Sequence, residues 1–113
     1  MTKGTHLGEL EELTLLCVLR LGEDAHGGTV RQELANEAGR RVSVSTVYVT
    51  LMRLEEKGYA YSWKGEPTGD RGGKAKRFYA LTPEGVEAVA SVRAIRESLW
   101  GGVEAGHAGG GYV

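Results

Sequence analysis

A chain of 113 residues has room for one domain and one core, which excludes a second folded unit and any elaborate enclosed active site. Hydrophobic residues at 41% and charged residues at 26% are ordinary for a soluble globular protein, and no apolar run approaches the roughly 20 residues of a membrane span. The net charge of −1 conceals a dipolar chain: residues 40–80 hold nine bases against four acids, while the stretches on either side are net acidic, so the middle third suits a polyanionic partner.

The first residues, Met1 to His6, lack the apolar stretch of a signal peptide, and a cytoplasmic location is expected. A first helix is predicted from about Gly8 to Leu21, with Leu10, Leu13, Leu16, Cys17 and Leu21 at helical spacing. Leu15, Val18 and Leu19 make it apolar nearly all round. Such a helix must be buried on more than one side, which in a short chain predicts a partner subunit. Cys17 is the only cysteine, so no intrachain disulfide can form, and its apolar setting predicts a small buried hydrophobe. A second helix is expected from about Ala25 to Ala38, with Val30 and Leu34 inward and Gly39 just past its end. His26 near its start reads as a surface or capping histidine. Ser43 is a plausible N-cap for a third helix that ends at Gly58, with Val44, Val47, Tyr48, Leu51 and Leu54 in one stripe.

Residues 59–64 alternate and are rich in aromatics, as in a strand, and residues 65–73 are dense in turn formers. Residues 74–81 read as the returning strand. Thr82-Pro83-Glu84 is a helix start, with a cap, a proline at the first position and an acid near the positive end. That fourth helix is expected to run to Trp100. The fold class is thus mainly α with a small β-hairpin: a winged helix-turn-helix over residues 1–81, a dimerisation helix over 82–100, and a disordered glycine-rich tail over 101–113.

Duplex DNA offers phosphates and base edges. A recognition helix must present short polar side chains at its N-terminal end, because longer ones hold the helix out of the major groove. Ser43, Ser45 and Thr46 suit that role, with Thr50 and Arg53 further along the side expected to be exposed, and the Tyr48 hydroxyl in reach of a phosphate. The hairpin supplies Arg71 at its tip for minor-groove or phosphate contact, with Lys74 and Lys76 on the returning strand for backbone neutralisation; alternation puts Arg77 on the opposite face, so not all of these candidates can touch one duplex. Catalysis and metal binding find no support: His6, His26 and His107 are scattered, and no serine sits in a nucleophile signature. No cofactor is expected. The alternative is a winged helix that docks a polypeptide instead of an operator.

Val47-Tyr48-x-x-Leu51-x-Arg53-Leu54-Glu55-x-x-Gly58, then Arg71-Gly72-Gly73, then Arg77-Phe78-Tyr79-x-Leu81-Thr82-x-x-Gly85 resembles the PadR family pattern. The Leu15-Leu16 to Leu21-Gly22 segment and the Gly27-x-x-Val30 step match it too, so the resemblance covers about residues 7–100. It implies a homodimeric repressor, joined through its C-terminal helical region, that leaves double-stranded DNA when a small molecule binds. One C-terminal helix resembles the short subgroup. Many members carry tyrosines where this chain has His26 and Gly28, so nothing is carried over at those two positions. Some drug-responsive members hold flat aromatic ligands between aromatic side chains at the dimer centre. By that resemblance, Trp100 is a candidate contact for a small hydrophobic or aromatic effector.

Overall fold

A computed structural model describes residues 6–66 and 75–107. Helix α1, Glu9–Leu21, opens with Glu9, Glu11 and Glu12 in its first turn, and the Glu11 carboxylate reaches back to the Gly8 N–H at 2.8 Å. Acids here complement the positive end of the helix dipole. A 3-10 turn, Gly22–Asp24, leads to α2, Gly27–Ala38. The α2 cap is His26: its Nδ1 accepts the Gly28 N–H at 3.2 Å, and its own N–H donates to Thr29 Oγ1 at 3.0 Å. Gly39 ends α2 at φ 67°, a left-handed conformation that glycine adopts without penalty, and the Arg40 N–H closes back onto the Leu34 carbonyl.

Helix α3, Val44–Glu56, is capped by Ser43, whose Oγ accepts the Thr46 N–H at 3.1 Å. Strands β1, Ala60–Lys64, and β2, Arg77–Leu81, form an antiparallel pair in which Trp63 faces Phe78 and Lys64 faces Arg77. The returning strand was expected from residue 74; among the described residues the ladder begins at Arg77, and just before it the Gly65 N–H donates to the Lys76 carbonyl at 2.7 Å. A bridge between His26 and Phe78 and a bond from the Tyr79 N–H to the Ala25 carbonyl fasten the hairpin to the start of α2.

Two clusters form the core. Cys17, Val18, Val30, Leu34, Val47, Leu51 and Tyr79 join α1, α2, α3 and β2. Leu15, Leu54, Tyr59, Ala60 and Val89 join α1, α3, β1 and the fourth helix. Leu15, Leu34, Leu51 and Leu54 are fully buried, each contributing about 1.5–3 kcal/mol of transfer free energy. Cys17 is buried as expected, and burial pushes its thiol up to about 11, so it holds no thiolate at neutral pH.

Helix α4, Pro83–His107, starts where the Thr82 hydroxyl accepts the Gly85 N–H and donates to the Gly58 carbonyl. It departs from expectation at its far end, running seven residues beyond Trp100 into the stretch read from sequence as a disordered tail. Gly101 and Gly102 lower helix propensity by about 1 kcal/mol each without breaking the backbone hydrogen-bond ladder. At 1.5 Å per residue, 25 residues span roughly 37 Å. A part-buried pair, Arg96 to Glu12 at 2.9 Å, ties α4 to α1. None of the described helices is long and apolar enough to cross a membrane.

Candidate nucleic-acid interface

The outward face of α3 carries Ser45, Val49 and Met52, with Val49 46% and Met52 53% exposed. Arg53 is exposed on one flank and Tyr48 on the other. Ser43 is exposed while its hydroxyl is occupied in capping, and Thr46 is half-buried. Thr50 is a correction. It is 6% exposed, and its hydroxyl donates to the Thr46 carbonyl at 2.8 Å. This position lies between Val47 and Leu54 on the inward side, where a polar side chain is tolerated because the helix's own backbone satisfies it. It has no access to a base edge.

Val49 and Met52 were not among the residues singled out from sequence. Their signal was position: each lies opposite the Val47–Leu51–Leu54 stripe. Apolar side chains at such places can meet thymine methyl groups in the major groove. In the turn before α3, Arg41 is exposed, while Arg40 is paired with Glu9.

One contact seats α3 against α2 and a second ties it to the hairpin. The Tyr48 ring lies so close to Gly27 that a Cβ there would stand 2.4 Å from it, which accounts for the glycine at the first turn of α2. Further along α3, the Ser62 hydroxyl donates to Glu55 Oε2 at 2.8 Å and accepts from Arg77 Nη1 at 3.0 Å. Tyr79, buried behind this chain, has its phenol pushed up chiefly by burial, with the Glu55 charge adding to it.

Lys64, Lys76 and Arg77 are all exposed on the hairpin. Arg71 and Lys74 lie outside the described residues. On the face of the hairpin turned from the core, Tyr61, Trp63 and Phe78 form a run, with Trp63 stacked on Phe78 at 6.2 Å between ring centroids. The His26 ring meets the edge of Phe78 at 5.5 Å. Burial holds the His26 pKa below its ordinary 6.5, Lys76 pushes it further down, and Asp24 opposes both.

Trp100 lies away from this surface, 59% exposed, on an open groove between α1 and α4 that Leu16, Leu19 and Val86 also line. Among the described residues no three His, Cys, Asp or Glu side chains converge as metal ligands would.

The sequence profile of the transcriptional regulator PadR-like family matches residues 15–91. Transcriptional regulator Rv3488 of Mycobacterium tuberculosis is 38% identical over 76 residues, 67% of this chain and 66% of that protein, so the match spans just under two thirds of the relative. A PadR family transcriptional regulator from Eggerthella lenta is 30% identical, with a TM-score of 0.63 over 85% of this chain and 83% of that one. Bacillus subtilis PadR, solved in complex with operator DNA, is alike in fold: 22% identical, with a TM-score of 0.60 over 74% of this chain and 46% of that one.

Proposed function

The chain belongs to the PadR-like family of transcriptional regulators, and on that premise we propose that it is a sequence-specific DNA-binding repressor acting as a homodimer. The observation that carries the proposal is the fastening of α3 to a cationic hairpin through Glu55, Ser62 and Arg77, while Tyr48 on Gly27 seats the same helix against α2. That arrangement suits a recognition helix in the major groove and a wing on the adjoining backbone. Ser45, Val49 and Met52 then meet base edges, with Ser43, Thr46 and Arg53 toward one strand and Tyr48 toward the other. Arg41, Lys76 and Arg77 are the described candidates for phosphate neutralisation, and Arg71 and Lys74, outside the described residues, complete the set read from sequence. The Bacillus subtilis PadR bound to its operator supports the same use of the fold here.

Leu16, Leu19, Ile95, Leu99 and Trp100 are each at least 40% exposed. Apolar residues so arranged along α1 and α4 fit an interface between two copies of the chain. A two-fold dimer sets its recognition helices roughly 34 Å apart, on a pseudo-palindromic operator. Repression follows from occlusion of polymerase. The open groove beside Trp100 is lined by the same Leu16 and Leu19, so it lies at the proposed interface between the two copies. A small hydrophobic or aromatic effector seated there changes the spacing of the readers, and DNA is released.

Fluorescence anisotropy tests the reading, with labelled DNA from upstream of the gene against a scrambled duplex across a salt series. Preferential binding that weakens steeply with salt is the expected result. Equal, feeble binding to both duplexes favours the polypeptide-docking use of the fold. Analytical ultracentrifugation should give a dimer, converted by Leu99→Asp into a monomer with far weaker DNA binding.

A further inference from the structure

Lys64 and Arg77 are opposite partners in the hairpin register, and both are exposed. Like charges directly across a strand pair repel and destabilise the hairpin. A polyanion removes that repulsion.

Arg77 is also not left to wander. The Ser62 hydroxyl spends its one proton on Glu55 Oε2 and turns its lone pairs to Arg77 Nη1. The chain of bonds therefore has one direction. Among the described residues no carboxylate forms an ion pair with Arg77, and the Ser62 hydroxyl stands between Arg77 and Glu55. A guanidinium has five N–H donors, more than one hydroxyl can occupy. Fixing it before DNA arrives lowers the entropy lost on binding.

We propose that Lys64 and Arg77 form a seat for one backbone phosphate at the seam of α3 and the wing, and that Glu55 and Ser62 are the positioning residues for Arg77. The proposal rests on the DNA-binding reading above. The ligand is a phosphodiester of duplex DNA, contacted without regard to sequence.

The test is the salt dependence of binding to labelled upstream DNA by wild-type protein and by variants. Arg77→Ala should weaken binding about tenfold and flatten the plot of log K against log salt by roughly 0.9 per subunit. Ser62→Ala should lose part of the same affinity, and Ser62→Thr, which keeps the hydroxyl, should regain it. In an Arg77→Ala background, Ser62→Ala should change nothing further, because its effect passes through the guanidinium. Lys64→Gln should weaken binding while its thermal midpoint stays level or rises, as release from the like-charge pair requires.

Three results would overturn the proposal. These are Lys64→Gln binding as wild type does, Ser62→Ala leaving affinity intact, and Ser62→Ala costing the same with and without Arg77. Wild-type protein with no salt-dependent DNA binding refutes the underlying reading instead, and the seat falls with it.

Discussion

Gly85 and Gly101 are both glycines within α4, yet alanine at the two positions should act with opposite sign. A Cβ on Gly85 would stand 2.0 Å from the Tyr59 carbonyl oxygen and 2.9 Å from its carbon. That carbonyl is held in place, since it accepts the Thr82 N–H at 3.1 Å while the Tyr59 N–H donates to Leu54 at 2.9 Å. Relieving the contact means moving α4 off β1 by more than an ångström or giving up a backbone hydrogen bond. Forcing a methyl into such a site costs about 1–3 kcal/mol, and a lost hydrogen bond costs about 1 more. Alanine's helix propensity offsets roughly 1 kcal/mol. The net destabilisation is about 1–3 kcal/mol, and a domain of this size loses roughly 4–8 °C in Tm per kcal/mol. At Gly101 nothing lies within 4 Å of the added Cβ, so Gly101→Ala should stabilise by about 0.5–1 kcal/mol. Thermal unfolding followed by far-ultraviolet circular dichroism, at one protomer concentration, measures both. A Gly85→Ala midpoint equal to that of wild type would refute the claim that α4 is seated against the Tyr59 backbone.

The pH response should reside partly in His26. Its folded-state pKa lies below 6.5 chiefly because burial disfavours the cation, so on acidification the unfolded chain takes up the proton first. The stability contribution is complete above about pH 6.5 and is lost as pH falls through the lower folded-state pKa. His26→Asn, which keeps a capping side chain without the titration, should flatten urea midpoints measured from about pH 8 to about pH 5. Thr50→Val should leave operator affinity unchanged and alter stability by no more than about 1 kcal/mol. A large loss of affinity in anisotropy would return Thr50 to the DNA surface.

What could be read from sequence was whatever depends on local chemistry. Ser43, Gly39 and the Thr82-Pro83 step mark helix ends because each answers a backbone demand within a few residues, and α3 and α4 begin where those signals stand. Thr50 escaped because its polarity suggested solvent, whereas periodicity places it beside the inward stripe. Here the three-dimensional neighbourhood, not residue type, decides exposure. The far end of α4 escaped because Gly101-Gly102 resembles a stop. Glycine weakens a helix without ending it, and only the backbone conformation tells the two apart. The Glu55–Ser62–Arg77 chain spans 22 positions and three elements, so no spacing rule points to it, although both of its charged ends lie within the family pattern.

Every described residue from Arg93 to Gly106 is exposed in the single chain. An isolated helical segment of that length is marginal in water, so the outer half of α4 draws little support from its own protomer. Its folding is then coupled by mass action to whatever covers it. In a homodimer, protomer concentration enters the helix–coil equilibrium of residues 93–106 directly. Amide hydrogens there should exchange quickly in dilute protein and slowly in concentrated protein, while those of Leu34 and Leu51 hardly change. On the proposed homodimer, a cell that lowers the copy number of this protein would thereby loosen the outer half of α4, with no ligand involved.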